Sequence, residues 1–271
     1  MILVTGATGR VGRHVVEQLV QRGQRVRALT RNPANANLPA GVEVVAGNLS
    51  DPASLASALA GVTAMHLINF NGDDYAPLQT GAAIMALAEK AGVQRVTVLL
   101  GGEKGAFEQA VEAGPLAWTH LQPVEFMSGV LDWAESIRRE GVVRTPFVNR
   151  RSAMIHEADI GAVAATVLVQ GGYGGETLTL TGPTALTPTE MVQTIGNVIG
   201  RELQLIELSE AEARAQWRQA GFPEDVIEFF VWAHGNTPPI GYTVVPTVEQ
   251  VTGCPARPLT QWVTENISAF R

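Results

Sequence analysis

Met1-Ile2-Leu3-Val4-Thr5-Gly6-Ala7-Thr8-Gly9-Arg10-Val11-Gly12-Arg13-His14-Val15-Val16 decides the fold. Four apolar residues run into a glycine-rich turn, and the turn runs into a helical pattern with Val11, Val15, Val16, Leu19 and Val20 on its apolar side. Strand, bare turn and amphipathic helix in that order make the phosphate-binding half of a dinucleotide fold. The turn must be nearly bare because a pyrophosphate approaches the backbone itself. Gly6 allows the tight turn, Gly9 lets the phosphates come close, and Gly12 lets the helix pack against the strand. N–H groups near residues 10–12 then face the anion with the positive end of the helix dipole. The spacing is G-x-x-G-x-x-G, not the commoner G-x-G-x-x-G. A second strand expected at 24–29 sets it apart from a flexible loop.

The βαβ rhythm continues outward from that turn. Strands are predicted at 1–5, 24–29, 42–46, 64–68, 95–100 and 117–121, with helices at 11–22, 52–60, 77–91 and 105–113 between them. Short β-branched runs without alternation indicate strands covered on both faces, hence a parallel sheet with its binding site outside the carboxyl ends. After Pro123 the rhythm changes. Helices are expected at 124–139 and 158–169, a strand at 177–180, and a helix capped by Thr187 with Pro188 at its first position. A strand at 201–208 and helices at 209–220, 223–233 and 260–270 follow. The fold class is therefore α/β, a Rossmann-type doubly wound parallel sheet with a smaller C-terminal lobe capping the substrate. The expected division is 1–150 for the dinucleotide domain, with 151–182 contributing, and 183–271 for the lobe.

Composition narrows the function classes. A net charge of −7 over 271 residues argues against a general nucleic-acid or anionic-membrane binder. Cys254 is the single cysteine, so no intrachain disulfide forms and a reducing, cytoplasmic setting fits. The apolar start breaks at Thr5-Gly6, too soon for a signal-peptide core or a membrane span. His14, His66, His120 and His156 fall on different elements with no metal-ligand spacing, so no metal site is expected. Asp73-Asp74 reads as a solvated loop, and no nucleophile elbow suggests a hydrolase.

Five further stretches sharpen this reading. Leu29-Thr30-Arg31-Asn32-Pro33 is similar to an "xxRNP" motif, and Val44-Val45-Ala46-Gly47-Asn48-Leu49-Ser50-Asp51 to "vxGDlxD". Ala91-Gly92-Val93-Gln94-Arg95-Val96 is similar to "AGVkrv", Trp118-Thr119-His120-Leu121-Gln122-Pro123 to "yTilRP", and Ile155-His156-Glu157-Ala158-Asp159-Ile160 to "i-h-x-x-D-i-A". In this order, after Thr5-Gly6-Ala7-Thr8-Gly9-Arg10-Val11-Gly12, they resemble the atypical short-chain dehydrogenase/reductases, specifically the NmrA-like branch that includes NADP(H)-dependent quinone reductases. The resemblance implies NADP(H) as cofactor. It places Gly6, Thr8, Gly9, Arg10, Val11 and Gly12 around the pyrophosphate, and Asn48 and Leu49 near the adenine, where Asn48 replaces a common Asp.

Coenzyme choice is read at the end of the second strand. An NAD site usually carries a carboxylate there for the ribose hydroxyls. Here that place, 18 positions after Gly12, holds Thr30, followed by Arg31. Without the acid nothing repels a 2′-phosphate, and a guanidinium grips one with two parallel hydrogen bonds. Arg10 is placed to stack on adenine or add a second cation.

The catalytic end departs from the pattern. Short-chain reductases pair a Tyr acid with a Lys four residues later, the Lys lowering the Tyr pKa and holding the nicotinamide ribose. Lys104 and Glu108 resemble the family's "KxxxE", which makes Lys104 the counterpart of that lysine, but the residue four earlier is Leu100. Tyr75, Tyr173 and Tyr242 do not complete the dyad. Two readings stand. Either the chain reduces a quinone or a conjugated aromatic ketone, polyketide-like in one version, with Asn69, Asn71, Lys104 or an ordered water supplying the hydrogen bond. Or it is a catalytically silent NADP(H) redox sensor for a protein partner. Asn69 and Lys104 are the catalytic candidates and also border the cofactor. Phe70, Asn71, Gln122, Phe126, Met127, Trp232 and His234 are the candidates for substrate contact. Of the aromatic cluster from Trp217 to His234, Trp217, Phe222, Phe229 and Phe230 are expected in the core.

Overall fold

Parallel pairing of short apolar runs dictates the architecture. The computed structural model describes residues 1–71 and 76–271. Its chain divides into two compact units: Met1–Pro123 with Glu157–Leu180 and Thr247–Cys254, and Val124–His156 with Thr181–Pro246 and Pro255–Arg271. The expected cuts at 150 and 183 are not where the units divide, because the chain passes from one to the other more than once.

The first unit holds a seven-stranded sheet. Its strands are β1 (Ile2–Val4), β2 (Val26–Thr30), β3 (Glu43–Ala46), β4 (Ala64–Ile68), β5 (Arg95–Leu99), β6 (Ala117–Pro123) and β8 (Glu176–Leu180), in the order β3-β2-β1-β4-β5-β6-β8. Every pairing is parallel. The order turns back between β1 and β4, so the crevice outside their carboxyl ends is the expected cofactor position. Its helices are α1 (Gly12–Gln21), α2 (Gly81–Lys90), α3 (Ala106–Glu112), α5 (Glu157–Gln170) and α10 (Thr247–Thr252). Leu3, Leu29, Leu55, Met65, Ile84 and Phe107 belong to one buried cluster under this sheet.

Two expected helices are shorter than the pattern suggested. Over 52–60 only a 3-10 turn forms at Pro52–Leu55. The buried Arg27 guanidinium takes the carbonyls of Ala58 and Ala60, at 2.6 and 2.8 Å, and so competes for the acceptors a helix would use. The helix expected from 77 begins at Gly81, because residues 76–78 pair back onto 69–71: Asn71 N–H donates to the Ala76 carbonyl (2.8 Å) and Leu78 N–H to that of Asn69 (2.9 Å).

The second unit holds a two-stranded parallel ribbon, β7 (Val142–Thr145) with β9 (Gln204–Glu207). Around it lie α4 (Ala134–Glu140), α6 (Pro188–Ile199), α7 (Glu210–Gln219), α8 (Glu224–Gly235), α9 (Pro239–Tyr242) and α11 (Leu259–Glu265). The single helix expected over 124–139 is instead an extended start, a 3-10 stretch at Met127–Trp133, and α4. Met127 N–H donates to the Ile155 carbonyl (3.0 Å) and Ile155 N–H to that of Glu125 (2.9 Å), which keeps 125–127 extended. Thr187 caps α6 with Glu190 in a reciprocal box, as its sequence indicates. Met154, Met191, Ile195 and Trp262 are in this unit's core. Among the described residues no helix is long and apolar enough to cross a membrane.

Candidate active site

The turn after β1 has the geometry its glycines imply. Gly6 adopts φ +58°, and Gly9 N–H donates to its carbonyl at 2.8 Å. A Cβ on Gly12 would lie 2.1 Å from the Gly6 carbonyl oxygen, so only glycine lets α1 start this close to the turn. The amino end of α1 carries no side-chain cap and no acidic residue in its first turn. That is the donor set a pyrophosphate requires. Thr8, Gly9 and Arg10 are exposed, and Val11 is buried beneath them.

The other carboxyl ends meet this turn along one edge of the sheet. Gly47 N–H donates to the Thr30 carbonyl (3.1 Å), joining the ends of β2 and β3 and presenting exposed Arg31 beside exposed Asn48. Thr30 Oγ1 accepts from Asn32 N–H (3.3 Å), and Asn48 Oδ1 accepts from Ser50 N–H (3.0 Å), fixing both turns locally. Leu49 packs its side chain in the core, and its carbonyl accepts from Thr80 Oγ1 at 2.7 Å. Thr5 Oγ1 accepts from Ile68 N–H at 3.0 Å, so β1 hands the chain to the β4 end, where Asn69, Phe70 and Asn71 are half-buried. The residues after Asn71, including Asp73-Asp74 and Tyr75, lie outside the described residues.

Asn69 has a partner that sequence reasoning did not give it. Its Nδ2 donates to Glu108 Oε1 at 2.7 Å, and Glu108 Oε2 accepts from Gly105 N–H at 2.8 Å. Glu108 is 2% exposed. Both its oxygens are engaged as acceptors, so its task is to orient the Asn69 amide. The "KxxxE" spacing marked Glu108 as part of a motif but gave no sign of a contact with a residue 39 positions earlier.

Lys104 has partners that its motif did not indicate. Its ammonium sits 2.7 Å from Glu112 Oε1 and 5.4 Å from the Trp118 ring centroid. Trp118 is near the amino end of β6, and five residues of strand, about 16 Å, separate it from Pro123 at the carboxyl end. An ion pair and a cation–π contact thus engage the Lys104 ammonium. The Lys104 hydrogen bond is the main cause that keeps the Glu112 carboxyl below its usual range, a bond from His120 adds to it, and desolvation opposes both. His120 is fully buried, its Nε2 is 3.0 Å from Glu112 Oε1, and burial pushes its pKa down. Leu100 is also buried, and its N–H donates to the Leu121 carbonyl at 2.8 Å. Leu100, four positions before Lys104, is therefore a packed apolar side chain.

The remaining substrate candidates divide. Gln122 accepts from Thr179 Oγ1 at 3.2 Å at the end of β6. Phe126 bridges to Ile155. Met127 is 2% exposed, within the second unit's core. Trp232 is 54% exposed and makes a tilted ring contact with Phe229. Phe222 and Phe229, expected in the core, are exposed as well. Phe222 still meets Phe230 edge-on at 5.3 Å between centroids. His234 lines a cavity of the second unit, with Trp217 and Phe230.

Fold and turn together define a nicotinamide-dinucleotide-binding protein, and comparison with known proteins agrees. Residues 6–102 match a family described as NAD(P)H-binding. The chain is 36% identical to the (4-alkanoyl-5-oxo-2,5-dihydrofuran-3-yl)methyl phosphate reductase of Streptomyces griseus, over 100% of this chain and 99% of that one. It is 31% identical to the NAD(P)H azoreductase of Xenophilus azovorans, with the same coverage. The crystal structure of the NADPH-dependent quinone oxidoreductase of Escherichia coli, complexed with NADPH, superposes with a TM-score of 0.83 at 25% identity, over 98% of this chain and 100% of that one. The chain belongs to this NAD(P)H-binding family of atypical short-chain reductases and is an oxidoreductase.

Proposed function

We propose that the protein reduces a flat, conjugated acceptor, a quinone or a conjugated ketone, at the carboxyl end of β4, with NADPH preferred over NADH. When bound, NADPH supplies the hydride. The turn at Gly6–Gly12 and the amino end of α1 hold its pyrophosphate, and Arg31, with Arg10 nearby, grips the 2′-phosphate that a carboxylate would repel. The single observation that carries the reading is the Asn69–Glu108 bond. An amide group has two N–H donors. Glu108 takes one and fixes the plane, which leaves the other to meet the acceptor's oxygen as it gains charge. The proton then comes from solvent, since Leu100, four positions before Lys104, is a buried apolar side chain with no proton to give.

Conjugation is what makes such a site sufficient. An acceptor whose reduced oxygen is stabilised within its own π-system needs orientation and one hydrogen bond; an isolated ketone needs a general acid. The relatives described above are named for a quinone, for azo compounds and for an oxo-dihydrofuran, which supports the same class. The test is NADPH oxidation with 1,4-naphthoquinone against cyclohexanone. Turnover with the quinone is expected to exceed that with the ketone by at least about a hundredfold, the scale of a missing general acid. Equal rates, or no turnover with the quinone or any other conjugated acceptor, would contradict the proposal.

A further inference from the structure

The second unit contains a cavity of about 470 Å³, within the range of small-molecule sites. Three rings of its wall form a continuous aromatic surface. Trp217 meets Phe230 edge-on at 5.4 Å between centroids, and Phe230 lies parallel to His234 at 6.1 Å with 3° between the planes. Met154 and Met191 add adaptable apolar surface.

Three ion pairs take up the arginines of the wall, whose remaining charged side chain is Asp132. Arg150 holds Glu125 through two bonds of 2.8 and 3.1 Å, Arg139 pairs with Glu135 at 2.9 Å, and Arg144 with Glu140 at 2.7 Å. Burial alone would raise the Glu125 carboxyl, but Arg150's charge and hydrogen bonds, with one from Ser152, hold it below the ordinary range. No guanidinium of the three is left to recruit an anion. His234 differs from these groups: among the described residues no side chain or backbone group hydrogen-bonds its ring nitrogens. Burial first, and Arg150 next, against the opposing pull of Glu125, push its pKa down to about 4. At neutral pH it is an uncharged imidazole with one donor and one acceptor nitrogen.

We infer that this cavity binds an uncharged, flat aromatic compound bearing one hydroxyl or carbonyl oxygen, with His234 as its hydrogen-bonding partner. The aromatic wall supplies stacking area, the paired arginines leave no cation for an anionic ligand, and the imidazole supplies direction. The choice of ligand class rests on the reductase reading; the site itself does not.

Calorimetric titration of the full chain, loaded with NADP+, tests it with 2-naphthol, naphthalene and naphthalene-2-sulfonate. The hydroxyl is expected to tighten binding about three- to tenfold over naphthalene, the worth of one hydrogen bond, and the sulfonate not at all. His234→Phe keeps the ring, and should erase the margin while leaving naphthalene and NADP+ affinities unchanged. A margin that survives His234→Phe, an absent margin in the native chain, or tighter binding of the sulfonate would overturn the assignment. The native-chain series decides the matter even if the variant does not fold. Naphthoquinone turnover measured alongside separates the two readings. Turnover without the margin removes the site and keeps the reductase, and a margin without turnover does the reverse.

Discussion

Arg31 and Asn69 carry the chemistry proposed for single residues, and each is legible to a different degree. Arg31 follows from position alone, because the end of β2 is where dinucleotide folds read the ribose. Arg31→Ala is expected to weaken NADPH binding about ten- to a hundredfold and NADH binding less than about twofold, since only the 2′-phosphate loses charge-assisted bonds. Fluorescence titration with both coenzymes checks this, and equal losses would show that the 2′-phosphate lies elsewhere. Asn69 was legible as a residue at a strand end, but its orientation was not. Its partner Glu108 arrives from α3, and nothing in the local pattern announces a contact made by the packing of α3 beside β4. Lys104 was legible as a motif position, but its ion pair with Glu112 and its contact with the Trp118 ring were not.

At the scale of elements, the strands of the seven-stranded sheet were read within a few residues, and β4 to the residue, because unalternating apolar runs bounded by glycine and polar turns have few other uses; β7 at Val142–Thr145 was missed. Helices were read well where a cap or an apolar face spoke alone, as at Thr187 and α5. They were misread where the backbone had another partner. Arg27 draws the carbonyls of Ala58 and Ala60 out of a helix, and the pairing of 69–71 with 76–78 delays α2. Arg27 lies 31 and 33 residues from those carbonyls, and residues 69–71 lie outside the helix they delay, which is why its periodicity could not show either. The β1–turn–α1 unit makes the sharpest test at this scale. Gly12→Ala puts a methyl group 2.1 Å from the Gly6 carbonyl oxygen, and either α1 or the turn must shift. The expected result is a loss of about 1–3 kcal/mol in urea denaturation, the usual cost of overpacking. A fall of at least about tenfold in NADPH affinity accompanies it, because the N–H groups leave the pyrophosphate. Unchanged affinity would place the pyrophosphate away from this turn.

For the molecule as a whole, acid sensitivity is built into the sheet. His66 on β4 is fully buried, bonds Thr97 Oγ1 through Nδ1 at 2.9 Å, and has its pKa pushed down by burial to about 4. Between an unfolded value near 6.5 and about 4, the unfolded chain binds a proton that the folded chain refuses. Stability is therefore full above pH 6.5 and falls as the pH drops toward 4, by about 2 kcal/mol at pH 5 from this group. Denaturation at pH 7.5 and 5 should show His66→Gln losing less than the native chain by about that amount; equal losses would mean His66 is not the responsible group. The composition of the chain gave no hint of this, since burial of one histidine depends on the register of three strands. The central claim, reduction guided by cofactor and amide without a tyrosine acid, is tested most directly by replacing all three tyrosines. The Tyr75→Phe, Tyr173→Phe, Tyr242→Phe variant is expected to oxidise NADPH with 1,4-naphthoquinone within about twofold of the native rate, and a fall on the scale of a lost general acid, about a hundredfold or more, would contradict the account.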